Sequence, residues 1–112
     1  MKLDRTSDMI PIPIVQKKEK EVCADLRKFW KDNDFFYIRN QQGIGSTKGL
    51  ADYTVVRNGL VVFVEAKATK GKQSPYQKDF QLKLENAGGE YRLVHSLEEF
   101  IEGWGRGRTG ER

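Results

Sequence analysis

Asp52-Tyr-Thr-Val-Val-Arg57-Asn58-Gly59-Leu60-Val-Val-Phe-Val-Glu65-Ala66-Lys67 is the stretch on which the fold turns. Its two halves are rich in β-branched and aromatic residues. Asn58-Gly59 between them is the strongest short hairpin signal, because both central positions of a type I′ turn need positive φ. A two-residue turn sets Arg57 opposite Leu60, and following the pairing outward brings Asp52 opposite Glu65. Directly opposed residues have Cβ atoms roughly 4.5–5.5 Å apart on one side of the sheet. Like charges at that spacing repel unless a cation lies between them or one is protonated. Converging carboxylate oxygens suit Mg²⁺ or Mn²⁺, hard ions that take about six oxygen ligands, some from water. Strand periodicity puts Lys67 on the same face as both acids. Taken alone, Glu65-Ala66-Lys67 reads more readily as part of a solvated salt-bridge cluster. Against that, it is the only acid-x-Lys triplet in the chain and ends its most hydrophobic strand, with Val61 and Phe63 upstream on the same face as an expected core.

Around this hairpin the chain alternates helix and strand. Val22, Cys23, Leu26, Phe29 and Trp30 recur at helical spacing from Glu19 to Lys31, and Asp32-Asn33-Asp34 ends the run. Phe35 to Arg39 reads as a strand, followed by a loop with Gly43, Gly45 and Gly49. Beyond the hairpin, Ser74-Pro75 suits an N-cap and first helical position, and the helix closes at Gly88-Gly89. Tyr91 to His95 is a last strand and Leu97 to Ile101 a short last helix. This order predicts an α/β fold, a small mixed β-sheet flanked by helices, with a right-handed parallel crossover from the third strand to the fourth. Residues 1–18, with Ile10-Pro11-Ile12-Pro13-Ile14, read as an extended arm, laid over the domain's own core or paired with a second subunit. Residues 19–102 form the domain and 103–112 a flexible basic Gly/Arg tail.

Composition narrows the chemistry. A chain of 112 residues predicts one domain, and a lone Cys23 and a lone His95 exclude an intrachain disulfide and a structural zinc site rich in soft ligands. The longest purely apolar run, Leu60 to Val64, is far short of a membrane span, and no signal-peptide core follows Met1. An intracellular protein without membrane association is expected. The formal charge of +4 leans toward a polyanionic partner. Two more polar residues point at the acids. Glu19 falls within the apolar stripe of its helix, although a first-turn carboxylate also simply complements the helix dipole. Gln77 shares a stripe with Phe80, Leu84 and Ala87, although Ser74-x-x-Gln77 also fits a capping box that would occupy its amide.

In Glu19-x-x-Val22, Lys48-Gly49-Leu50-Ala51-Asp52, Glu65-Ala66-Lys67, Ser74-Pro75-Tyr76-Gln77, Ala87-Gly88-Gly89 and Tyr91 to His95, the chain resembles the VRR-NUC nucleases of the PD-(D/E)xK superfamily. The likeness runs from about Glu19 to Ile101 and is greatest to the minimal stand-alone versions of phages and bacteria. Ala51 departs from the pattern, which often has Pro before the Asp. The resemblance implies a restriction-endonuclease-like core and a metal-dependent endonuclease. Asp52, Glu65 and the Ala66 carbonyl would ligate Mg²⁺ or Mn²⁺. Glu19 would act through a water or a second ion. Lys67 would serve the attacking water or the phosphate, and Gln77 would orient Lys67 or the nucleophile. It further implies a homodimer acting on branched DNA such as Holliday junctions. Lys48, Lys70, Lys72, Lys78, Arg106 and Arg108 are the candidate DNA contacts, with a solvated helix face as the alternative for Lys78. A noncatalytic nucleic-acid-binding module on the same fold is the competing reading.

Overall fold

The computed structural model describes residues 16–43 and 45–104. Most of the arm, including Ile10 to Ile14, and the tail with Arg106 and Arg108 lie outside the described residues. The elements run α1 (Glu19–Asp32), β1 (Phe36–Arg39), β2 (Tyr53–Arg57), β3 (Leu60–Ala66), α2 (Pro75–Asn86), β4 (Tyr91–Val94) and α3 (Leu97–Gly103). The sheet order is β1-β2-β3-β4, antiparallel except for the β3-β4 pair, which is parallel. The α/β expectation, a small mixed sheet with helices on it, is what the chain forms.

Local chemistry sets the boundaries. Asn58 (φ 52°) and Gly59 (φ 82°) both take positive φ, as a type I′ turn requires, and pin Arg57 opposite Leu60 and Tyr53 opposite Val64. α1 ends where Asp34 adopts φ 62° and the Phe35 N–H closes on the Trp30 carbonyl at 2.9 Å. α2 opens with the Ser74 hydroxyl accepting the Gln77 N–H at 3.2 Å.

The two faces of the sheet are unequal. On one, α1 buries Val22, Leu26 and Trp30 against Tyr53, Val55, Val62, Val64 and Ala66, and α3 adds Phe100. Trp30 is the centre, with Tyr37, Tyr53 and Phe100 rings at 5.2, 5.1 and 5.4 Å. On the other, α2 rests on β3 and β4 mainly through Phe80, 5.9 Å from Phe63 and 6.2 Å from Tyr91, and none of its residues is fully buried. This corrects the expected core upstream of Glu65. Val61 is 45% exposed, because the main core lies under Val62 and Val64 while α2 leaves the β1-β2 half of its own face, with Phe36 and Ile38, in solvent. No helix among the described residues is long and apolar enough to cross a membrane.

The Trp30 indole N–H is buried with no acceptor, a small debit within a large apolar gain. Trp30→Ala should therefore lower unfolding stability by about 3–5 kcal/mol. Trp30→Phe should cost clearly less, because it removes the orphaned donor along with part of the volume. Urea unfolding followed by circular dichroism measures both.

Candidate active site

The site forms where the hairpin ladder stops. Asp52 lies at a bend one residue before β2, so the expected strand start at Asp52 moves to Tyr53. Where the ladder would next join the Ala66 N–H to the Ala51 carbonyl, the Asp52 carboxylate accepts that N–H instead, at 2.9 Å. One amide holds this segment off the ladder. The Asn40 backbone N–H donates to the Asp52 carbonyl at 2.8 Å, its side-chain NH₂ donates to the Ala51 carbonyl at 3.0 Å, and its side-chain oxygen accepts the Thr54 hydroxyl at 3.0 Å. Gln42 adds a bond to the Leu50 carbonyl at 2.8 Å. Sequence reading missed both amides. Their only signal is that they follow a strand, and their partners are backbone carbonyls brought near by the fold.

Glu65 is 1% exposed although it is an acid. Gln77 donates to its Oε2 at 2.8 Å, and the Lys67 ammonium stands 3.7 Å from the same oxygen, its own side chain 15% exposed. Lys67 is fixed by its backbone N–H, which bonds the Val94 carbonyl at 2.9 Å and carries the parallel pairing one residue past β3. The two readings of Gln77 hold together: its side-chain oxygen accepts the Ser74 N–H at 2.8 Å, closing the capping box, while its NH₂ reaches Glu65.

Burial sets the electrostatics. It pushes the Glu65 carboxyl up to about 8; the Asp52 charge adds to the rise, Lys67 opposes it, and Glu19 contributes from a distance. Asp52 also titrates above its ordinary value, chiefly through burial, against the pull of the Ala66 N–H, Lys67 and Arg39. With both groups ionised, Glu65 Oε1 is buried without a hydrogen-bond donor. Such an oxygen is satisfied by a proton shared with the neighbouring acid or by a cation. Asp52 and Glu65 are thus the pair that could hold a hard divalent ion.

Glu19 stands apart. Among the described residues no three His, Cys, Asp or Glu side chains come together in a way that could hold a metal ion. Glu19 is exposed rather than buried in the apolar stripe, because it is the first residue of α1 and burial begins only at Val22; its charge still reaches Glu65. Lys48, Lys70, Lys72 and Lys78 are all exposed, whereas Lys83 is spent on Asp79 one turn earlier at 2.9 Å. His95, the lone imidazole, faces the Gly71 carbonyl at 2.9 Å and the Glu99 carboxylate at 3.1 Å and so braces the basic loop against α3.

No protein-family model matches the chain, and no curated protein matches it. Among solved structures, one described as "VRR_NUC domain" superposes with a TM-score of 0.65 at 18% identity, covering 76% of this chain and 91% of that one. The chain has the fold of that domain.

The buried acid makes stability depend on pH. The unfolded chain releases the Glu65 proton near the ordinary carboxylate value, while the folded chain keeps it to about 8. Between those values the folded state holds the extra proton, so metal-free protein should lose stability as pH rises from about 5 to 8, by at most ~1.4 kcal/mol per pH unit. Thermal melts across that range should show the fall, and Glu65→Gln should flatten it. A second expectation concerns Asn40. Asn40→Ala removes two bonds beside Asp52, and the Ala66 amide that serves Asp52 should then exchange its hydrogen faster than in the parent protein, as read by NMR.

Proposed function

We propose that the chain is a VRR-NUC nuclease that hydrolyses DNA phosphodiester bonds with Mg²⁺ or Mn²⁺. The observation that carries this reading is the Glu65 carboxyl, buried beside Asp52 at the end of β3 with one oxygen lacking a donor and Lys67 at 3.7 Å. A structural salt bridge has no need of a second, repelling acid next to it. Asp52 and Glu65 would hold the metal, with the Ala66 carbonyl as the expected third protein ligand. When bound, the metal supplies positive charge for the phosphate and lowers the pKa of water.

The chain's own groups do the rest. Lys67 presents a largely desolvated ammonium beside the acids, where it offsets charge gathering on phosphate oxygens and can exchange a proton at Nζ. Gln77 donates to Glu65 Oε2, which favours the ionised carboxylate needed for a cation. Glu19, exposed and within electrostatic reach, is suited to act through water rather than directly. Lys48, Lys70, Lys72 and Lys78 provide a sequence-independent grip on the backbone. We extend the proposal to branched DNA and to a homodimer, since paired cuts across a four-way junction ask for two sites related by symmetry.

Purified protein incubated with four-way junction, flap, splayed and duplex DNA should cut only with Mg²⁺ or Mn²⁺ and prefer branched forms. Asp52→Asn, Glu65→Gln and Lys67→Met should each lower the rate roughly a hundredfold or more. Folded protein that binds all four DNAs but cuts none in either metal would show a noncatalytic binding module instead. Light scattering on the same sample should give twice the 12.9 kDa chain mass.

A further inference from the structure

The loop ahead of Asp52 and the start of α2 meet at one close contact. Gly49, at φ +77°, lies so near the Tyr76-Gln77 peptide that a Cβ there would stand 2.1 Å from the Tyr76 carbonyl oxygen and 2.8 Å from the Gln77 nitrogen. Only glycine accepts both that φ and that approach. The contact delivers the preceding residue to α2: the Lys48 ammonium sits over the Tyr76 ring, 4.9 Å from its centroid. Tyr76 itself is 58% exposed and belongs to no hydrophobic cluster, yet its backbone is fixed at the second position of a helix opened by Pro75. The next residue, Gln77, touches Glu65. Exposed Lys78 follows it.

An aromatic ring held out in solvent one residue before the amide that reaches Glu65, with Lys48 over it and Lys78 two residues on, is not accounted for by packing. We propose that Tyr76 and Lys48 form a subsite for one unpaired nucleobase and its phosphate, next to the bond that is cut. The ring face supplies sequence-tolerant stacking and the ammonium pairs with the backbone, a combination that single-stranded DNA recognition uses repeatedly. Base-paired duplex cannot offer a free base face, so the subsite gives the chain a physical reason to favour branched or frayed DNA. The inference rests on the DNA-cleavage reading and deepens it.

The experiment couples ring to base. A splayed DNA is prepared intact and with a single abasic residue at each position flanking the cut, and binding is measured in Ca²⁺ by anisotropy and cutting in Mg²⁺. For the parent protein, one abasic position should weaken binding and slow cutting about tenfold. Tyr76→Ala should lose a similar factor on intact DNA and no longer sense the abasic residue, while Tyr76→Trp restores the sensitivity. 2-Aminopurine at that position should be quenched by the parent protein and not by Tyr76→Ala. If the parent protein acts on DNA and no abasic position matters, or Tyr76→Ala still senses it, the subsite is overturned. If the folded parent protein neither binds nor cuts DNA, the cleavage reading fails and takes the subsite with it.

Discussion

The structure is organised around a carboxyl group that is out of water. Burying an ionised carboxylate is costly unless it is neutralised by a proton, a cation or several donors. Glu65 has one firm donor, Gln77, one ammonium at 3.7 Å, and a second acid as its neighbour. The chain accepts this because the hairpin leaves no choice. With Asn58 and Gly59 locking the register, any sequence that buries Val62, Val64 and Ala66 on one face must turn Glu65 to the other, beside Asp52.

The unequal faces make that cost tolerable. The face with Trp30, Tyr53 and Phe100 is a dense aromatic core able to carry the fold. The face with Glu65 is covered lightly by α2, whose seat depends on Phe80, on the Gln77 bond and on the close approach of Gly49. The crowded acid pair thus sits where little of the core is at stake.

How much of this was legible follows from which physical rules act locally. A type I′ turn is written in two residues, and the register, the facing acids and the place of Lys67 came with it. The side of the sheet that holds the core did not, because Leu60-Val-Val-Phe-Val is apolar at every step and carries no period of two. Glu19 illustrates a different gap. A helical wheel gives the direction of a residue around the axis but not its depth along it, and the first residue of α1, ahead of the first buried position at Val22, is exposed although it points along the apolar stripe. Asn40 and Gln42 were illegible altogether, since what they hold are carbonyls of residues 50–52 brought beside them only by the β1-β2 pairing.

Gln77 shows how a structural motif can also set the polarity of a site. A side-chain amide presents either its oxygen or its NH₂, and the two ends have opposite effects on a nearby carboxylate. The capping box removes the choice. Because the Ser74 N–H engages the oxygen, only the NH₂ remains to face Glu65, and it faces it as a donor at 2.8 Å. A donor there favours the ionised form, against burial and Asp52, which favour the protonated one. The start of α2 thereby sets against the buried acid a donor that opposes its protonation. Gly49, pressed against the Tyr76-Gln77 peptide, fixes where that donor stands. Helix capping and loop packing in this way converge on one donor, so a change to either reaches the carboxyl that this donor faces.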